Sequence, residues 1–119
     1  MAGAGSARDA VGKFLGAAQA QDVQAMVNVW GTKDGSIRNT VPMDNVEKRA
    51  IYLIRCLRHD SYSVLTETPA AGGDRVMTVQ LKRGNLAPSG MFTTTIGPQG
   101  RWYVSNLDTE AFNSICSAK

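Results

Sequence analysis

Hydrophobic periodicity changes once along this chain, from about 3.6 residues per repeat before Ser61 to about 2 after it. Helices should therefore fill the first half and strands the second, which is the pattern of an α+β fold rather than of alternating βαβ units. Over 7–21, Val11, Phe14, Leu15 and Ala18 share one helical face, with Ser6 as N-cap and Asp9 in the first turn. Gly12 and Gly16 weaken that helix and suggest close packing against a neighbour. Asp22 opens a second helix over 22–30, on which Val23, Met26, Val27 and Trp30 repeat the spacing and Gly31 is a C′ residue. Asp34-Gly35 marks a turn, and 36–40 reads as a short edge strand. The third helix covers 44–59. Asp44 and Glu47 suit a capping box, and Val46, Ala50, Leu53, Ile54 and Leu57 form the buried stripe, with Arg55 and Arg58 on the solvated side.

Beyond Ser61, β-branched and aromatic residues alternate over 62–68, 75–83, 91–96 and 101–107. The connections Ala71-Gly72-Gly73, 84–89 and Gly97-Pro98-Gln99-Gly100 are of hairpin type, so the strands should form an antiparallel meander. A last helical turn over 109–116 would return Phe112 and Ile115 to the body. Residues 1–6 are small and flexible and are placed outside the fold, leaving a single domain over 7–119. The resulting expectation is N-terminal helices packed on a curved antiparallel sheet of four to five strands.

Composition narrows the function classes. The chain has 119 residues, 43% of them hydrophobic, enough for one core without staples. Thirteen basic residues against ten acidic give +3, but they are scattered, with only Lys48-Arg49 and Lys82-Arg83 adjacent among the noted pairs, so no nucleic-acid footprint is expected. No apolar run reaches the roughly 20 residues a membrane span needs, and no basic and apolar leader precedes the first helix.

The two cysteines, Cys56 and Cys116, either form a bridge or stand as small buried hydrophobes. A bridge would tie the C-terminal turn to the long helix and imply an oxidising compartment, with the protein exported to a periplasm or cell envelope after signal removal; without it, a cytoplasmic location stands as the alternative.

Three features carry a family likeness: the first helix leading into Asp22-Val23-Gln24-Ala25-Met26 with Trp30 at the end of the next; the long helix directly before the meander; and the closing hairpin from Gly97-Pro98-Gln99-Gly100 into Arg101-Trp102-Tyr103-Val104. In these the chain resembles the nuclear transport factor 2-like, cystatin-like α+β superfamily, in particular small exported or lipoprotein-type members. The resemblance implies a conical fold with an internal pocket, and often a dimer formed through the sheet. It leaves function open, since members range from isomerases and dehydratases to non-enzymatic binding proteins. The chain departs from the enzymatic members in having one histidine and no Asp inside a predicted strand. It also lacks the Gln-x-Val-x-Gly loop of cystatin-type protease inhibitors.

Candidate chemistry is sparse. His59-Asp60 is the one His/Asp neighbourhood, and adjacent residues diverge, so His59 reads first as a helix C-terminal cation and second as a general acid or base. A single histidine and two distant cysteines make no metal site, and no cofactor motif is present. Trp30, Tyr52, His59, Met77, Phe92 and Trp102 are the candidates for a pocket wall, although aromatics at a helix–sheet seam are more often core. The leading expectation is a non-enzymatic domain that binds a small apolar ligand or a protein partner in a conical apolar pocket. The alternatives are a small isomerase or dehydratase of the polyketide-cyclase kind, and a homodimeric interaction module working through its sheet.

Overall fold

A computed structural model describes residues 2–117 of the chain. Helices and strands segregate as the periodicity requires. Helices α1 (Ala7–Ala20), α2 (Val23–Val29) and α3 (Met43–Cys56) precede an antiparallel sheet of β3 (Ser61–Pro69), β4 (Arg75–Lys82), β5 (Ser89–Ile96) and β6 (Trp102–Leu107). Between α2 and α3 lies a two-strand hairpin, β1 (Gly31–Thr32) and β2 (Gly35–Ser36), and after β6 a helical turn leads into α4 (Asn113–Cys116). The fold is α+β, and the main sheet runs β3-β4-β5-β6 with every neighbour antiparallel.

Local chemistry explains the helix boundaries. The Ser6 hydroxyl accepts from the Asp9 amide at 3.0 Å, and the Asp22 carboxylate accepts from the Ala25 amide at 3.0 Å, each satisfying one of the unpaired donors of a first turn. Between the helices, Gln21 takes a left-handed conformation (φ 57°) and closes α1 with its amide on the Ala18 carbonyl. The capping box expected at Asp44 and Glu47 does not form. Pro42 stands at the N-cap with no side-chain hydrogen bond, so α3 begins one residue earlier, at Met43. It also ends earlier than the spacing suggests, at Cys56, with Leu57 as C-cap.

The region after α2 departs most from expectation. Trp30 is extended rather than helical and bridges Val104 of β6, so Gly31 is a strand residue and not a helix C′. The edge strand expected over 36–40 is replaced by the β1–β2 hairpin and a 3₁₀ turn, Ile37–Asn39. Ser36 anchors this turn: its buried hydroxyl donates to the Val27 carbonyl at 2.7 Å.

Gly3 and Ala4 are also part of the fold, contrary to the reading of the N-terminal segment as a flexible appendage. The Gly3 amide donates to the Asn28 carbonyl at 2.8 Å, and Ala4, fully buried, exchanges backbone hydrogen bonds with Trp102 at 2.9 and 2.8 Å. The β6 side of the sheet is thus covered by Ala4 and by Trp30, which blunts an edge otherwise open to pairing.

Register shifts between Val64 and Thr66 and between Thr93 and Thr94 mark bulges that bend the β3–β4 and β5–β6 ribbons. The core sits between helices and sheet. Val11, Phe14 and Leu15 of α1, Met26 and Val27 of α2, and Val46 and Ala50 of α3 meet Met77, Val79, Leu81, Phe92 and Val104 from the sheet. Phe14 packs edge-on against both Trp30 and Phe92, at centroid distances of 6.5 and 6.2 Å. Phe112 and Ile115 return to this core as the sequence predicts. Of the two α1 glycines, Gly12 faces the Tyr62 hydroxyl while Gly16 faces open space, so only Gly12 serves a close contact.

Candidate functional site

The six residues proposed for a pocket wall fall in three places. Trp30, Met77 and Phe92 are buried in the core, where Met77 and Phe92 are cross-strand partners. Trp102 is half-buried at the β6 edge against Ala4. His59 and Tyr52 line two neighbouring clefts near the C-terminal end of α3, which share Gln21 and Arg58. Large apolar side chains occupy the space between helices and sheet: Phe14, Leu15, Met77, Phe92 and Phe112 are all fully buried.

His59 is only 8% exposed. A carbonyl oxygen only accepts, so Nδ1 carries the proton it donates to the Leu57 carbonyl at 2.7 Å. The ring also meets Tyr62 edge-on at 5.9 Å. His59 lines an open cleft of about 290 Å³ with Gln19, Arg58, Asp60 and Arg83. The Asp60 carboxylate accepts from the Gly84 amide at 3.0 Å, and among the described residues it makes no hydrogen bond to the imidazole. The neighbouring carboxylate therefore closes the β4–β5 turn and does not orient the histidine.

The outward face of α3 is different in kind. Ile51 is 60% exposed and Tyr52 51%, two of the largest apolar side chains that remain in contact with water. Lys48, Ile51, Tyr52 and Arg55 follow i, i+3, i+4, i+7 and so form one stripe, and Arg58, beyond the end of the helix, lines the same cleft. A cleft of about 440 Å³ runs along it, lined by Lys48, Ile51, Tyr52, Ile54, Arg55 and Arg58 together with Gln21. A second, of about 340 Å³, shares Lys48 and Tyr52 and continues over Arg49, Leu53 and Thr109. Leu53 and Ile54 are almost buried and form the floor beneath the exposed pair.

Electrostatics separate this face from the rest of the surface. Among the described residues the ion pairs join Arg8 and Arg75 to Glu67 and Lys13 to Asp9, so none involves Lys48, Arg55 or Arg58. Arg49 lies over the Trp30 ring at 4.9 Å, which fixes that guanidinium at the rim. Asp44 and Glu47, one turn earlier, are the nearest acids on the helix and make no such pair.

On the other side of the molecule, Glu67 accepts from Arg75 Nε at 2.6 Å and Arg8 Nε at 3.3 Å. The Arg75 hydrogen bond, against some opposing desolvation and with help from both positive charges, holds its carboxyl below the usual range. This cluster joins α1 to β3 and β4. Cys56 and Cys116 form a disulfide, and no helix among the described residues is long and apolar enough to cross a membrane.

In comparisons with known proteins, no family model, no curated protein and no solved structure matches this chain.

The α3 face is what reasoning from the sequence missed. The spacing marks Tyr52 as a pocket candidate and puts Arg55 and Arg58 toward solvent, but it gives Ile51 no place. The signal was there: Ile51 lies off the stripe formed by Val46, Ala50, Leu53 and Ile54, so a β-branched apolar residue had to face outward among cations.

Proposed function

We propose that this chain is a non-enzymatic binding domain of the nuclear transport factor 2-like, cystatin-like kind, with its bulged sheet curling toward the helices as the side of a cone, and that it works in an exported, oxidising setting. Its ligand is a small apolar molecule or a protein partner, taken at the outward face of α3. The observation that carries this reading is the exposure of Ile51 and Tyr52 over a floor of Leu53 and Ile54, since apolar surface bordered by polar groups is characteristic of binding sites. A non-enzymatic role is supported by His59, whose Nδ1 is held by a backbone carbonyl and whose neighbour Asp60 binds a turn amide. Export is supported by the Cys56–Cys116 bridge, because such bonds persist in oxidising compartments.

Titration with a neutral apolar fluorophore tests the reading. Saturable enhancement is expected, and Ile51→Ser with Tyr52→Ser should abolish it without moving the urea midpoint. Enhancement unchanged in that double variant would place binding elsewhere on the molecule. A homodimer through the sheet is a second reading, favoured by the exposure of Leu65, Met91 and Ile96 on its strands. Light scattering at rising protein concentration checks it, with a doubled mass expected if it holds.

A further inference from the structure

We propose that the trough along α3 takes a single-chain amphiphile with an anionic head, a fatty carboxylate being the simplest example. The inference rests on the binding reading above and names the ligand's chemistry. Its basis is the coincidence of two features in the clefts that border the exposed stripe of α3. The first is recessed apolar surface: Ile54 and Leu53 are 8% and 7% exposed, below Ile51 and Tyr52. The second is a cationic rim of Lys48, Arg55 and Arg58, none of which is engaged in an ion pair within the described residues.

Each feature excludes an alternative. A neutral apolar ligand would leave three cations without a counter-charge and so gain less from the site than an anion of the same chain length. A bilayer surface would meet only the exposed Ile51 and Tyr52, whereas one chain lying along the clefts also reaches the recessed Leu53 and Ile54. The larger cleft encloses about 440 Å³, within the range of small-ligand sites. Tyr52 lines both clefts, so an extended chain would pass along its ring while the head reached the arginines at the other end. Arg55 and Arg58 offer planar forks suited to bidentate recognition of a carboxylate or phosphate.

The experiment is calorimetric titration of the oxidised protein with decanoate, 1-decanol and decyltrimethylammonium, each below its aggregation limit. Decanoate should bind saturably near one equivalent. Its affinity should fall about tenfold in Arg55→Gln/Arg58→Gln, with decanol unaffected by that change. Ile51→Ser should weaken decanoate and decanol alike. Equal affinity for all three heads would overturn the anionic-head inference while leaving an apolar binding site intact. Absence of saturable binding by any of them would overturn both the inference and the small-ligand reading on which it rests. Sedimentation with phosphatidylglycerol vesicles when decanoate does not bind would overturn it in favour of a lipid surface. Circular dichroism of each variant, expected to match the parent, separates lost binding from lost folding.

Discussion

The sulfur of Cys56 is bonded to that of Cys116, fastening α4 to the last turn of α3 across a separation of 60 residues. The bond acts together with packing: Phe112 and Ile115, just before Cys116, are buried, so the C-terminal turn is held by apolar contact as well as by covalency. Because Cys56 lies one turn from Tyr52 on α3, the bridge also fixes the backbone at the end of the proposed trough.

Replacing both cysteines by alanine should therefore destabilise the protein by about 4 kcal/mol, the chain-entropy value for a loop of about 60 residues. Urea unfolding under oxidising conditions measures it, and the parent treated with a thiol reductant should unfold at nearly the same midpoint as the double variant. An unchanged midpoint in both would show that the bridge contributes nothing to equilibrium stability.

Glu67 links three elements through Arg75 and Arg8, and its carboxyl is held below the ordinary value of 4.5, chiefly by the Arg75 hydrogen bond. A folded pKa lower than the unfolded one favours the folded state above the unfolded value, and that contribution disappears as pH falls through it and below. Glu67→Gln should accordingly be less stable than the parent at neutral pH. The gap should narrow as pH drops from about 5 to about 3, which urea midpoints across that range will show. A gap that stays constant over that range would mean the pair does not couple to protonation.

Two glycines should respond in opposite directions. A Cβ on Gly31 would collide with the Gly35 carbonyl across the β1–β2 hairpin, and backbone there has no easy retreat. Gly31→Ala is expected to cost about 3 kcal/mol or more. Gly16, exposed on α1 with nothing near it, carries only the helix penalty of glycine. Gly16→Ala should raise stability by up to about 1 kcal/mol. Thermal unfolding of the two variants beside the parent gives both signs in one measurement.

Helix and strand identities are most legible where an element has a single period and a single buried face. The α1 stripe of Val11, Phe14, Leu15 and Ala18, and the alternation of Met77, Val79 and Leu81 on β4, are examples. What stayed illegible depends on contacts distant in sequence. Nothing local to Trp30 says that it will leave the helix to pair with Val104, and nothing local to Ser36 says that its hydroxyl will reach Val27. The capping box failed because Pro42 already supplies a fixed φ at the helix start, so Asp44 falls inside the first turn, where it meets the helix dipole rather than a cap amide. The pocket candidates were chosen as large side chains near the helix–sheet seam, and several of these are what fills the interior. The α3 face required asking which apolar residue had been left off the buried stripe.

The N-terminal segment gives the sharpest test of the packing described here, because two adjacent residues in it differ completely in environment. Ala4 is fully buried, with its amide and carbonyl both bonded to Trp102, whereas Gly5 is exposed and has nothing within reach of an added side chain. Segment 2–5 has composition alone to suggest disorder, yet it covers the β6 edge that would otherwise present unpaired backbone groups. Ala4→Asn forces a larger polar side chain into the core and should cost about 2–3 kcal/mol, while Gly5→Asn should change stability by less than about 0.5 kcal/mol. If urea midpoints for the two variants coincide, the segment is not packed on β6. If they separate as stated, hydrogen exchange at the Trp102 amide, which donates to the Ala4 carbonyl at 2.8 Å, should also be faster in Ala4→Asn than in Gly5→Asn, since the loosened strand end exposes that bond to water.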